Sequence, residues 1–230
     1  MGTSKGYIAP KKTEWSKARR AVSTYLRNRD EESKADAVRK YAEAMKISGS
    51  SVSSSFSVSA GNILNFVKAI NSSGIDNTLH SLGRDDLIGQ DPEVVLNELL
   101  NQFTNDAATL EDSLAAAALS QAFDNLKIET IEDLGSIDID VLLREMVTEF
   151  ININFDLRFE EKMGKGRTPS EKSNIMEEMH NYIADIIHAV LSTEEMKQLN
   201  FAKMEAETIV QKTLTNAINT CVDYYGGVTK

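Results

Sequence analysis

The chain has 230 residues, 41% hydrophobic and 26% charged, with three prolines and twelve glycines; this composition supports a sizeable core and excludes both a disordered chain and a many-stranded β protein. A lone cysteine, Cys221, excludes an internal disulfide and a Cys-based zinc site, and no apolar run nears the ~18 residues of a membrane span. Net charge is −10, with eight Lys or Arg and one acid in residues 1–29 against 17 basic and 34 acidic residues in 30–230, so the body is a poor candidate for non-specific phosphate binding.

In chain order, residues 1–12, MGTSKGYIAPKK, read as an extended arm, because Gly2, Gly6 and Pro10 discourage helix and no apolar period is present. They also lack the apolar stretch of a signal peptide, and the cytoplasm is the expected location. Residues 13–47 read as a basic helical segment. Thr13 is a candidate N-cap, and Trp15, Ala18, Val22, Tyr25 and Leu26 share one face. Asp30 is a candidate cap for a second stretch with Val38, Tyr41, Ala42 and Met45; the pattern fits two helices or one bent helix. Residues 48–59, SGSSVSSSFSVS, hold eight serines and read as a linker separating the basic head from a helical body at 60–230.

The body opens with Ile63, Leu64, Phe66, Val67 and Ile70 on one helix, and Gly74 breaks it. Residues 74–90 predict one short helix between glycines. Asp91-Pro92-Glu93 is a strong helix start, with an N-cap, proline at the first position and an acid in the first turn. Thr109–Asp112 predicts another capped start. Residues 138–163 carry two patterns: Ile151, Ile153, Phe155, Leu157 and Phe159 alternate like a strand, whereas Leu143, Met146, Val147, Phe150, Ile153, Asn154 and Leu157 follow helical spacing. Helix is preferred, since no second strand is available for pairing. Ser170 starts a helix bearing Ile175, Met179, Ile183 and Ile187, and Ser192 or Thr193 starts the last one, stopped by Gly226-Gly227. The fold class is all-α, a multi-helix bundle of six or seven body helices with an extended N-terminal arm.

No residue set points to catalysis. Glu177-x-x-His180 and Asp185-x-x-His188 have the spacing of carboxylate–histidine metal pairs. They share one helix eight residues apart, too far for one ion, and read as ordinary polar positions. Cys221 lies on an apolar stripe as an inert thiol. The loop Gly164–Pro169 lacks P-loop spacing and reads as a solvated turn. No cofactor or metal is called for. In the basic helix, Trp15, Val22 and Leu26 read as a face packed on a protein surface, with Arg19 and Arg20 on its rim, a partner-docking helix. Direct contact between this head and nucleic acid is the weaker reading. At the terminus, removal of Met1 would expose the Gly2 amine, whose ordinary pKa of about 7.7–8.0 leaves a nucleophilic fraction. Gly6 stands where myristoylation wants Ser or Thr.

Three stretches carry a resemblance. Met1-Gly2-Thr3-Ser4 with Tyr7, Pro10 and Trp15, with Ala9 where a glycine is usual, resembles the opening of the QatB proteins of bacterial Qat antiphage systems. Asn62–Phe66, Gly74-Ile75, Leu79, Leu82-Gly83 and Leu87-Ile88-Gly89 resemble that family's middle. Glu98-Leu99-Leu100 followed by Thr109–Leu126 resembles its acidic–alanine helix. The likeness covers about half the chain; residues 138–230 match only as helical. It implies a non-enzymatic defence component encoded beside an ATPase, a QueC-like enzyme and a TatD-like nuclease. It further implies that Gly2 is acylated by a 7-deazaguanine group through the QueC-like partner, with Thr3, Ser4 and Tyr7 fitting the arm to that enzyme. The alternatives from residues alone are a helical adaptor with an ordinary terminus and a nucleic-acid-associated protein.

Overall fold

Helical periodicity dominates the molecule. The computed structural model describes residues 13–48, 52–191 and 204–224, and among these all regular structure is helical. Ten α-helices follow in order: α1 Thr13–Asn28, α2 Glu31–Ser48, α3 Val52–Ser73, α4 Ile75–Ser81, α5 Pro92–Phe103, α6 Leu110–Leu126, α7 Ile131–Ser136, α8 Ile139–Gly164, α9 Pro169–Val190 and α10 Ala206–Asp223. The extended-arm reading of 1–12, the start of the last helix at Ser192 or Thr193, and the stop at Gly226-Gly227 lie outside the described residues.

Local chemistry sets the helix ends. Head helices α1 and α2 are two helices, separated where Arg29 takes a left-handed φ of 57° and Asp30 accepts the Ser33 amide at 2.8 Å. Asp91 caps α5 by accepting from the Glu93 amide, with Pro92 at the first position. Thr109–Asp112, Thr130–Asp133 and Thr168–Glu171 form reciprocal capping boxes that start α6, α7 and α9. The α9 helix therefore begins at Pro169, one residue before the serine that the pattern suggested.

Helix α8 is the centre of the core. Leu142, Leu143, Met146, Val147, Phe150, Ile151, Phe155, Phe159 and Met163 are all buried along it. Ile151, Phe155 and Phe159 are buried at four-residue spacing, while Ile153 and Leu157 are only half-buried. The period of 3.6 thus overrides the apparent alternation.

The serine-rich segment corrects a sequence expectation. Residues 52–59 belong to α3 rather than to a tether. Phe56 is fully buried and stacks on Phe150 with ring centroids 4.1 Å apart. Phe56, Ala60, Ile63, Leu64 and Val67 form the buried stripe, and Ser57 and Ser59 are small enough to be buried beside it. Burial of this stripe outweighs the weak helix preference of serine. Because α3 is continuous with the core, the head and body share one interior rather than parting at 48–59. Tyr41 of α2 shows the same continuity: its hydroxyl donates to the Ile151 carbonyl at 2.7 Å, and its ring meets Phe155 and Phe159 edge-on. The α3 and α10 backbones approach closely at Gly61, where a Cβ would lie 2.9 Å from the Glu207 amide nitrogen.

Candidate functional site

The loop of four residues between α8 and α9 makes them an antiparallel hairpin, and α6 packs along α8. Where the three helices diverge, a polar groove of about 560 Å³ opens. Helix α8 contributes Glu145, Glu149, Asn152 and Asp156, spaced to fall on one stripe opposite its apolar face. Helix α9 adds Glu177, His180 and Asn181, and α6 adds Gln121 and Asn125.

Hydrogen bonds knit the floor of this groove. Asn125 Nδ2 donates to Glu145 Oε1 at 2.8 Å and to Glu149 Oε1 at 3.2 Å, and Asn152 Nδ2 donates to the same Glu149 oxygen at 3.2 Å. Gln121 Nε2 donates to Asn125 Oδ1 at 3.0 Å. Burial raises the Glu149 carboxyl above the usual carboxylate range; its bond from Asn152 opposes that shift and the Glu145 charge adds to it. His180 Nε2 lies 2.6 Å from Asp156 Oδ1. Burial pulls the imidazole down, but the Asp156 hydrogen bond and charge, with Glu149, leave it above its ordinary value.

The two carboxylate–histidine pairs noted in the sequence are not the pairs the fold makes. His180 pairs across the hairpin with Asp156 rather than along its own helix with Glu177. His188 lies 3.7 Å from Glu145 and 3.4 Å from the Thr148 hydroxyl, which itself donates to the Arg144 carbonyl. Burial, followed by the Arg144 charge, pulls His188 down. Among the described residues no three His, Cys, Asp or Glu side chains converge to hold a metal ion. Cys221 is buried on α10, and burial pushes its thiol up to about 12, far from a thiolate nucleophile at neutral pH. In the basic loop, Arg167 is a structural cap, its guanidinium donating to the Met163, Lys165 and Leu26 carbonyls.

The sequence-predicted site residues fall into two groups. Gly2, Thr3, Ser4 and Tyr7 lie outside the described residues. The expected docking helix is described, and its apolar face is already occupied. Trp15 is 2% exposed and Val22 fully buried, with Leu26 packed at the core edge. Trp15 meets Tyr41, and the Arg158 guanidinium lies over its ring at 4.6 Å. The stripe read as a partner interface is therefore the chain's own interior, which the sequence pattern does not distinguish. Arg20 is exposed and Arg19 half-buried, so any outward contact of α1 rests on its charged side. One part of the basic head turns to its own body: Arg29 and Lys34 both pair with Glu178 of α9, at 2.6 and 2.9 Å.

No sequence argument singled out the groove residues of α8, although the polar stripe Glu145, Glu149, Asn152, Asp156 could have been read there. Among the described residues no helix is long and apolar enough to cross a membrane.

Comparison with curated proteins and with solved structures finds no match. A family model does match: the Qat anti-phage system associated protein QatB model aligns with residues 46–221, running from the end of α2 into α10. That span covers α3 to α9, including the serine-rich helix start and all three walls of the groove, and well over half of the 230 residues. The chain belongs to the QatB family, and so is a component of a Qat antiphage defence system.

Proposed function

We propose that the chain acts in the cytoplasm as a non-catalytic member of its defence system, a helical body whose N-terminal Gly2 is presented for modification by a QueC-like partner. The family match over 46–221 supports the defence-system part of this reading, and the Gly2 step rests on the resemblance of Met1-Gly2-Thr3-Ser4 to the family's opening. Support comes also from how α1 is fixed. Trp15, Ala18, Val22 and Tyr25 anchor it in the core from its first turn. Residues 2–12 have a contour of at most about 40 Å, enough to enter a partner's active site while α1 stays packed. In the body, the thiol is buried and the histidines are engaged with carboxylates, so chemistry is assigned to the partner.

In the step itself, the QueC-like enzyme activates a 7-deazaguanine carboxylate with ATP. The neutral Gly2 amine attacks that carbonyl, an amide C–N bond forms, the activating group leaves with the electron pair of its bond, and the amine gives up a proton. Thr3, Ser4 and Tyr7 position the arm in the enzyme. The system's ATPase and TatD-like nuclease are further partners in this reading. Intact-mass measurement of the protein expressed with and without the QueC-like enzyme tests it. A mass gain confined to the N-terminal peptide, absent without the enzyme, is expected. Gly2→Pro, which removes the primary amine, is expected to abolish both the gain and phage protection. Loss of Met1 alone in both samples, with Gly2→Pro still protective, would reject the modification and leave an adaptor.

A further inference from the structure

The head of the chain uses its cations in two ways. Arg29, Lys34, Arg39 and Lys40 each meet a carboxylate within the molecule. The exposed cations of α1 do not. Among the described residues Lys17 and Arg20 have no ion-pair partner, and Arg27 donates only to its neighbour Asn28, at Oδ1, at 3.4 Å. A shortage of acid is not the reason, since the chain holds 35 Asp and Glu against 25 Lys and Arg. Spacings of three and seven residues put the three cations on one side of α1, over about 15 Å of helix.

Their surroundings identify the kind of partner. The exposed residues of α1 are Thr13, Lys17, Arg20, Ser23, Arg27 and Asn28. None is acidic and none is apolar, because Trp15, Ala18, Val22 and Tyr25 are all turned into the core. A protein interface draws its energy from aromatic and apolar anchors at its centre, and this face has none. A single nucleic-acid strand is held by stacking its bases on aromatic rings, and no ring is exposed here. A duplex backbone needs neither. It is met by Lys and Arg together with hydroxyl and amide donors, the set that α1 presents. Acid bounds the footprint on one flank, where Asp30, Glu32 and Asp36 line a hollow with Thr24 and Asn28.

We propose that the outer face of α1 docks on the phosphate backbone of double-stranded DNA through Lys17, Arg20 and Arg27, without reading its sequence. The contact is separate from any change at Gly2.

Fluorescence anisotropy of a short labelled DNA duplex, titrated with the full chain, tests the proposal. Three neutralised phosphates give a log–log salt slope of about −2.7, so Kd should rise on the order of fortyfold between about 50 and 200 mM salt. Arg20→Gln should make that slope shallower by about 1. The combined variant Lys17→Gln, Arg20→Gln, Arg27→Gln should lose binding. All three side chains are exposed, and far-UV circular dichroism checks that the variant keeps its fold. Undiminished binding by the combined variant overturns the proposal, as does tighter binding to a single strand than to the duplex. Displacement of the duplex by polyglutamate at equal charge overturns it in favour of an acidic protein surface. Salt-sensitive self-association without duplex binding overturns it in favour of a second copy of the chain.

Discussion

Helix α9 carries acidic residues on two sides, and they meet different fates. On one side Glu178 receives Arg29 and Lys34 from the basic head, and the contact is closed. On the other, Glu177 borders an open groove whose carboxylates are met by amides and by His180 and His188. Residues adjacent in sequence are thus divided between architecture and surface. Acid that the chain neutralises itself helps join head to body, whereas acid it leaves unneutralised is available to something outside. The uneven charge along the sequence is partly resolved inside the molecule, by the head folding onto its own body.

Mutations at the closed side should cost most. Trp15→Ala removes a buried indole between Tyr41 and Arg158 and should lower unfolding stability by about 3–5 kcal/mol. Urea denaturation of the isolated protein checks it, and near-neutrality there would restore the indole to an outward docking role. Glu178→Gln comes next, at about 1–2 kcal/mol, discounted because the side chain is 35% exposed and screened. It leaves Lys34, itself 7% exposed, with the exposed Glu31 as its remaining ion-pair partner. Burial raises the Glu178 carboxyl, but hydrogen bonds from Lys34 and Tyr25 and the Arg29 charge carry it below its ordinary 4.5. Its stabilisation is therefore present above pH 4.5 and is lost as pH falls through the lower folded value. Thermal scans from pH 6 to pH 3 should show a shallower acid limb in the variant than in the parent.

The open side should respond least, and with the opposite sign. The Glu149 carboxyl is raised by burial, so its contribution to stability is fully present below 4.5 and is lost as pH rises through the higher folded value. Glu149→Gln keeps an oxygen for Asn125 and Asn152 while removing the buried charge. Its melting temperature should exceed the parent's modestly at pH 8, and the difference should shrink toward pH 4. A lower melting temperature at pH 8 would mean that the charge is already compensated in the free protein.

Much of the helical frame was legible before the structure. Asp91-Pro92 and Thr109–Asp112 announced their helices because capping is a local property of a few consecutive residues. The α8 stripe was readable because three apolar turns outweigh a short alternation. The serine-rich segment was misread because composition hid its pattern. Phe56 and Ala60, one turn apart, begin a buried stripe, yet serines around them read as a tether. Trp15 and Val22 were misassigned for a different reason: an inward face and an interface face have the same period. The groove was least legible, since it gathers α6, α8 and α9 residues. The bond between Asp156 and His180 depends on how two helices pack, which no local pattern states. The arm from Gly2 to Tyr7 lies outside the described residues.

The close approach at Gly61 also bears on the order of events during synthesis. Helix α3 lays its buried stripe partly against α10, and Glu207 is within touching distance of Gly61. At bacterial elongation rates, the roughly 150 residues between Phe56 and α10 take on the order of ten to thirty seconds to make. Until then the first helices leave the ribosome with one flank uncovered. Core completion therefore waits for residues 206–223, and a nascent chain arrested before them is the form most exposed to chaperones and proteases.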